Sequence, residues 1–187
     1  MQTGNIFSTL TNHLHNKLAI VSNDKPTAEE AAVWSILETV PDPEVPVLSV
    51  LDLGIVRDVK CELPSASHPN GMVHITITPT YSGCPAMDAI SMDIRLKMME
   101  EGYANVKIIS VLSPAWTTDC MTETGKQKLA AYGIAPPSHS KQEGAPVVCP
   151  QCQSPNTKLL SQFGSTACKA LYQCNDCKEP FDHFKCH

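Results

Sequence analysis

Hydrophobic positions along the first 134 residues change period several times, and each change marks an element. From Thr27 to Val40 the residues are good helix formers, and Ala32, Ile36 and Val40 recur every fourth position, which predicts a helix with one buried stripe. Thr27 followed by Glu30 fits a capping box, and Pro41-Asp42-Pro43-Glu44 stops the helix because neither proline can continue it. Val47–Leu53 is an apolar turn region closed by Gly54, and Ile55–Glu62 reads as a strand. After the turn-rich loop Pro64–Gly71, Val73, Ile75 and Ile77 alternate with His74, Thr76 and Thr78, the pattern of a half-buried strand with its polar side in solvent. The two strands are expected to form a hairpin with a long loop. Helical spacing returns with Met87, Ile90, Ile94 and Met98, between Pro85, suited to a first helical position, and the C-cap candidate Gly102. Val106, Ile108 and Val111 suggest a third strand. A last helix is predicted from about Thr118 to Tyr132, stopped by Gly133 and Ile134. The order predicts a small α+β domain over residues 27–134, with one three-strand sheet.

Residues 1–26 read as a tail. Phe7, Leu10, Leu14 and Leu18 could form one face of a short helix or belong to a frayed terminus, and His13 and His15 lie far from other ligand types. Residues 135–146 contain three prolines and few apolar residues, as a linker does. The remaining unit, 147–187, is too short to bury a sufficient core alone and needs a staple.

Composition narrows the function. The net charge is −5 and there is no Lys/Arg run, which argues against a nucleic-acid partner held through phosphates. No apolar stretch is long enough for a membrane span, and no basic, apolar leader precedes the tail, so a cytoplasmic protein is expected. Of 187 residues nine are cysteines, an odd number, and four of them form two C-x-x-C pairs. Without an export signal, that pattern reads as metal binding.

The pairs are Cys149-Pro-Gln-Cys152 and Cys174-Asn-Asp-Cys177. Each knuckle points two thiolates at one centre, and two knuckles make a closed four-sulfur site of the structural zinc type. Zinc is favoured over a single iron, although the same knuckles can hold iron and spacing alone does not choose. Cys168 reads as a packed thiol; Cys186 and His187 become ligands only if the terminus folds back. Phe163, Phe181, Phe184 and Tyr172 either fill the unit's own core or face a protein partner.

The second chemical signal is Cys84, in Tyr81-Ser-Gly-Cys-Pro85. With Pro85 as the first helical residue, Cys84 is an N-cap, where the helix dipole and free N–H groups favour a thiolate. Gly83 lets the chain turn before it, and Asp88 follows one turn into the helix. Such a thiol could bind iron, hold a cluster or attack an electrophile; the competing reading is a small buried residue closing a turn. Asp42, Glu44, Asp52 and Asp58 could line a site near Cys84, or cap turns. No Ser/His/Asp order, dinucleotide fingerprint or phosphate-binding loop is present.

Asp42-Pro-Glu-Val-Pro-Val47, Asp52-Leu-Gly-Ile-Val56 and Thr78-Pro-Thr-Tyr-Ser-Gly-Cys-Pro-Ala86 resemble a widespread small α+β family that includes SufT and is associated with iron–sulfur cluster assembly. The family's characteristic cysteine falls on Cys84. Ser113-Pro-Ala-Trp-Thr-Thr118, Tyr132-Gly-Ile-Ala-Pro-Pro137, Phe163-Gly-Ser-Thr-Ala-Cys-Lys-Ala-Leu-Tyr172, Glu179-Pro-Phe-Asp182 and Phe184-Lys-Cys186 resemble the PaaD family of phenylacetate degradation. The resemblance spans about residues 28–187. It implies an accessory, non-catalytic role in maturing the metal centres of phenylacetyl-CoA epoxidase, above all its iron–sulfur reductase component. It implies structural zinc in the ribbon and a transient iron or iron–sulfur cluster at Cys84, with Asp88 and Asp52 nearby. The partners implied are the epoxidase subunits, with a second copy of the chain also considered. One departure is visible: Cys120 stands where the resemblance leads one to expect tryptophan. The competing functions are a structural subunit of the oxygenase, and a thiol enzyme on CoA thioesters, which would need a base beside Cys84.

Overall fold

The computed structural model describes residues 26–66, 68–137 and 146–185. The tail with Phe7, Leu10, Leu14, Leu18, His13 and His15, linker residues 138–145, and Cys186 with His187 lie outside the described residues.

Helix α1, Ala28–Leu37, starts with the expected capping box: Glu30 N–H donates to Thr27 Oγ1 and Thr27 N–H to Glu30 Oε2. It ends three residues earlier than predicted. Val40 precedes Pro41, whose ring disfavours helical backbone there, and Thr39 Oγ1 donates to the Ile36 carbonyl at 2.7 Å. Of the expected stripe Val40 is buried and Ile36 half-buried, but Ala32 is exposed, and within the helix the buried apolar positions are instead Val33 and Leu37. The helix is apolar on two adjacent faces, so periodicity alone selects the wrong one.

Strands β1 (Val56–Glu62) and β2 (Met72–Ile77) pair antiparallel, with a register irregularity between Val56 and Asp58. Helix α2 (Ala86–Glu100) crosses over to β3 (Val106–Ser110), which pairs parallel with β2, giving the sheet order β1-β2-β3. Ile75, Ile77, Ile94 and Met98 are among the fully buried residues between sheet and helices. His74, expected in solvent, is instead half-buried, its Nε2 2.9 Å from Glu62 Oε1.

The predicted last helix is two pieces. A single 3₁₀ turn, Thr118–Cys120, gives way to extended backbone at the fully buried Met121, and α3 (Glu123–Tyr132) then begins. Thr122 imposes the restart: its hydroxyl accepts the Gly125 N–H at 2.9 Å, and its own N–H donates to the Asp52 carbonyl. Gly133, at φ +88°, closes α3 in the left-handed region and Ile134 packs behind it.

The second unit is an antiparallel sheet of β4 (Thr157–Ser161), β5 (Lys169–Cys174) and β6 (Pro180–Phe184). Ala135, expected in a linker, lies along β6: its N–H donates to the Asp182 carbonyl and its carbonyl accepts from Phe184 N–H. Phe184 is buried edge-on against Trp116 of the first domain, ring centroids 6.4 Å apart. Phe181 and Tyr172 stack on each other, whereas Phe163 is 62 % exposed, beneath Lys185. The ribbon therefore shares part of its core with its neighbour.

Candidate metal centre and the Cys84 turn

The two knuckles converge. Cys149 and Cys177 sulfurs are 3.7 Å apart, Cys152 and Cys174 3.5 Å, and all four lie within 4.8 Å of one another. Zinc–sulfur bonds of about 2.3 Å put tetrahedral sulfurs about 3.8 Å apart, so this donor set fits a closed four-sulfur ion. Such an ion would hold β4, β5 and β6 together and leave no coordination position open.

Local backbone builds each knuckle. Gln153 (φ 60°) and Lys178 (φ 69°), each directly after the second cysteine of its pair, are left-handed. The Cys174 thiol is brought down to about 7, first by the Cys177 backbone N–H and, against burial, by that of Asp176 at 3.4 Å. Asp176 also ties the pairs together, accepting from Ser154 Oγ and from Asn156 Nδ2.

Cys84 sits where β2 has ended and α2 is about to start. Gly83, at φ +82°, reverses the chain, and Cys84 N–H donates to the Tyr81 carbonyl at 3.2 Å. The cap position differs from the expectation by one residue: Pro85 is the N-cap, already with helical backbone, and Cys84 precedes it. Proline fixes φ near the helical value, so it extends the helical backbone towards the cysteine. Cys84 is half-buried. The Tyr81 hydroxyl is hydrogen-bonded to it and is pushed up to about 12, first by burial and then by the neighbouring Cys84 and Glu44.

The carboxylates divide differently. Asp42 Oδ1 accepts the Glu44 and Val45 N–H groups and shapes its own turn. Asp52 is a bolt between that region and α3: it accepts from Ser49 N–H, from Thr122 Oγ1 at 3.0 Å and from Lys128 Nζ at 2.6 Å. Burial opposes its ionisation, but the bonds from Lys128, Ser49 and Thr122 and the Lys128 charge together hold its carboxyl below the usual range. Asp88 is exposed in the first turn of α2. Cys84, Asp52 and Asp88 do not converge as the four ribbon cysteines do, which form the one such group among the described residues. Sequence reading missed Lys128, 76 positions from its partner, because nothing local marks the pair. It also missed Arg57, which donates to Thr78 Oγ1 and, at 3.3 Å, to the sulfur of Cys120.

Residues 134–185 match the family described as PaaD zinc beta ribbon domain, and residues 30–108 match the family described as iron-sulfur cluster assembly protein. An Escherichia coli (strain K12) protein, provisionally named as one of the subunits of 1,2-phenylacetyl-CoA epoxidase, is 49 % identical over 157 residues, covering 82 % of this chain and 91 % of that protein. The chain belongs to the PaaD family. A Porphyromonas gingivalis protein named Fe-S protein maturation auxiliary factor is 35 % identical to this PaaD-family chain, covering 57 % of it and 96 % of the relative. Among solved structures, a domain of unknown function, DUF59, from Bacillus anthracis is similar at 28 % identity with a TM-score of 0.47, covering 55 % of this chain and 92 % of that one. The PaaD-family architecture is thus an α+β iron–sulfur assembly domain followed by a zinc ribbon, and the ribbon match begins at 134, ahead of the expected linker. No helix among the described residues is long and apolar enough to cross a membrane.

Proposed function

We propose that this chain is a cytoplasmic, non-catalytic maturation factor for a phenylacetyl-CoA epoxidase system, and that its client is the iron–sulfur reductase component. Residues 27–134 carry the cargo and 147–187 recognise the client, with 135–146 between them. The observation that supports this reading most is Cys84: a half-buried sulfur at the mouth of a strand-to-helix turn, inside the segment that matches the iron–sulfur assembly family. Iron or a cluster is the cargo, taken on by the Cys84 thiolate with loss of its proton and released to client thiolates by ligand exchange. Asp52 positions the turn region and α3 through Lys128 and Thr122, and Asp88 faces solvent at the site's rim.

Cys84→Ala should leave both folds intact, because the side chain lost is small and half-exposed. The client reductase, produced alongside this variant, should lack most of its cluster, read as iron and acid-labile sulfide per polypeptide. A normal cluster content sinks the reading. The name of the Escherichia coli relative favours a second one, a fixed structural component of the epoxidase. Co-purification with the epoxidase in constant stoichiometry, unchanged by Cys84→Ala and with a normally loaded client, would select it.

A further inference from the structure

Helix α2 is apolar on two sides. Ile90, Ile94 and Met98 are buried in the core. On the outer side Ala89, Met92, Leu96 and Met99 recur at three- and four-residue spacing, so they stand on one stripe about 15 Å long. All four are exposed, Met92 by 55 %, Leu96 by 51 % and Met99 by 62 %. The exposed Pro85 continues the stripe to the residue beside Cys84. Scattered apolar side chains on a surface are ordinary, but a contiguous stripe along one helix marks a contact surface. Lys97 is held by Glu100 and Glu101, and Arg95 Nη1 donates to the Val106 carbonyl. Asp88 and Asp93 are the acids bordering the stripe at its Cys84 end.

A standard interface takes about 20–30 residues from each partner, so this stripe is too small to hold a free protein or a second copy by itself. A tethered segment needs less, because a short link gives an effective concentration on the order of millimolar. The chain contains such a segment. Residues 1–25 lie outside the described residues and ahead of the iron–sulfur assembly match, which begins at 30. In sequence Phe7, Leu10, Leu14 and Leu18 repeat the three- and four-residue spacing of the stripe. No acidic residue precedes Asp24, whereas Lys17, with His13 and His15 when protonated, is opposite in sign to Asp88 and Asp93. The described chain begins at Pro26, just before α1, and α1 packs on α2. Glu29 lines one cleft with Glu101, Gly102 and Tyr103, so the start of α1 stands beside the end of α2. Residues 19–25 can span up to about 25 Å, enough to bring Leu18 to Met99. As a helix, residues 7–18 would rise about 17 Å, close to the length of the stripe. Ser8, Thr9, Thr11, Asn12 and Asn16 are weak helix formers in a segment too short to be stable alone, so docking has to supply the helix.

We infer that residues 7–18 dock as an amphipathic helix on the exposed stripe of α2, with Leu18 at the Met99 end and Phe7 towards the Cys84 turn. The inference needs no metal and stands apart from the cargo reading. It makes the segment a built-in occupant of the face next to Cys84, which any protein partner using that face has to displace.

Methionine-methyl NMR of the full, zinc-loaded chain tests this, because Met92 and Met99 lie on the stripe while Met98 and Met121 are buried controls. In wild type a soluble nitroxide should leave the Met92 and Met99 methyl signals nearly as sharp as those of Met98 and Met121. Leu10→Glu combined with Leu14→Glu should broaden Met92 and Met99 and leave Met98 and Met121 sharp. In return, Met92→Glu combined with Leu96→Glu should abolish slowed amide exchange at Leu10 and Leu14. Met92 and Met99 open to the nitroxide in wild type, or equally shielded in the Leu10 and Leu14 variant, overturns the inference. Shielding that disappears on dilution of wild type gives the stripe to a second copy and overturns it as well. If the Met92 and Leu96 variant fails to fold, the nitroxide comparison still decides, since its variant leaves α2 untouched.

Discussion

The two halves of this chain solve the same problem with different means. The α+β domain buries Val33, Leu37, Ile75, Ile94, Met98, Met121 and Leu129 almost completely, a contiguous core between one sheet and three helices. The ribbon's own cluster holds only Ala135, Cys149, Cys174 and Phe181, with Val147, Tyr172 and Cys177 at its margin. Three of those seven are proposed metal ligands, and Phe184 packs into the other domain's core. The first unit can stand on apolar burial; the second lacks the area for that and depends on a metal and on its neighbour. The ribbon's cysteines are drawn into its stability, whereas Cys84, half-buried at its turn, is no part of that cluster.

The largest break in that comparison is the loss of the ion. Structural zinc sites contribute on the order of 10–16 kcal/mol of apparent binding energy, more than a small ribbon gains by folding. Cys174→Ser, or exhaustive chelation, should therefore remove one zinc per chain and collapse the amide signals of β4, β5 and β6. Helical circular dichroism and the signals of β1 to β3 should persist. A ribbon that keeps its dispersed spectrum without metal would show that Phe184 and Ala135 alone suffice to hold it.

A smaller effect tests the other side. Asp52→Asn keeps the shape of the bolt but removes the charge that Lys128 and Thr122 are arranged around. One buried charge-assisted network losing its acceptor charge costs about 2–3 kcal/mol at neutral pH. Because the folded carboxyl is held below its unfolded value near 3.9, its contribution is complete above that value and fades as pH falls through the lower folded one. Denaturant midpoints of wild type and Asp52→Asn should differ most near pH 7 and converge below about pH 4. A constant difference across that range would mean that shape, not charge, matters at this position.

Legibility in the sequence follows the same division. The convergence of the four ribbon cysteines was readable because their geometry is local: two residues between cysteines fix a knuckle wherever it occurs. The capping box at Thr27, the β1–β2 pair and the Gly133 stop were readable for the same reason. The buried face of α1 was not, because Val33-Trp34 and Ile36-Leu37 offer two apolar stripes and only the docked sheet chooses. The break before α3 was hidden because Asp52, 70 positions away, sets where Thr122 caps. Cys168 read as a packed thiol and is buried in the core, but its contact with Glu44 was not readable, because no spacing connects the two. At Cys84 the cap position was legible to within one residue, because proline carries the helical backbone one step further back than the cap pattern suggests.

The smallest effect asks how much of the ribbon's stability comes from turn geometry rather than metal. Gln153 and Lys178 each hold a left-handed backbone that costs a side chain with a Cβ roughly 1–2 kcal/mol relative to the helical region. Each recovers part of that by bonding back onto its own knuckle: Gln153 Nε2 donates to the Pro150 carbonyl at 3.2 Å, and Lys178 Nζ to the Asn175 carbonyl. Glycine removes the strain and the bond together, and adds freedom to the unfolded chain. Lys178→Gly should therefore raise the stability of the zinc-loaded ribbon by only about 0.5 kcal/mol, whereas Lys178→Val, branched at Cβ, should lower it by about 1–2 kcal/mol. The quantity to measure is the chelator concentration that strips half the zinc. If valine is tolerated as well as lysine, the knuckle's shape is imposed by the metal, and the left-handed residue merely follows it.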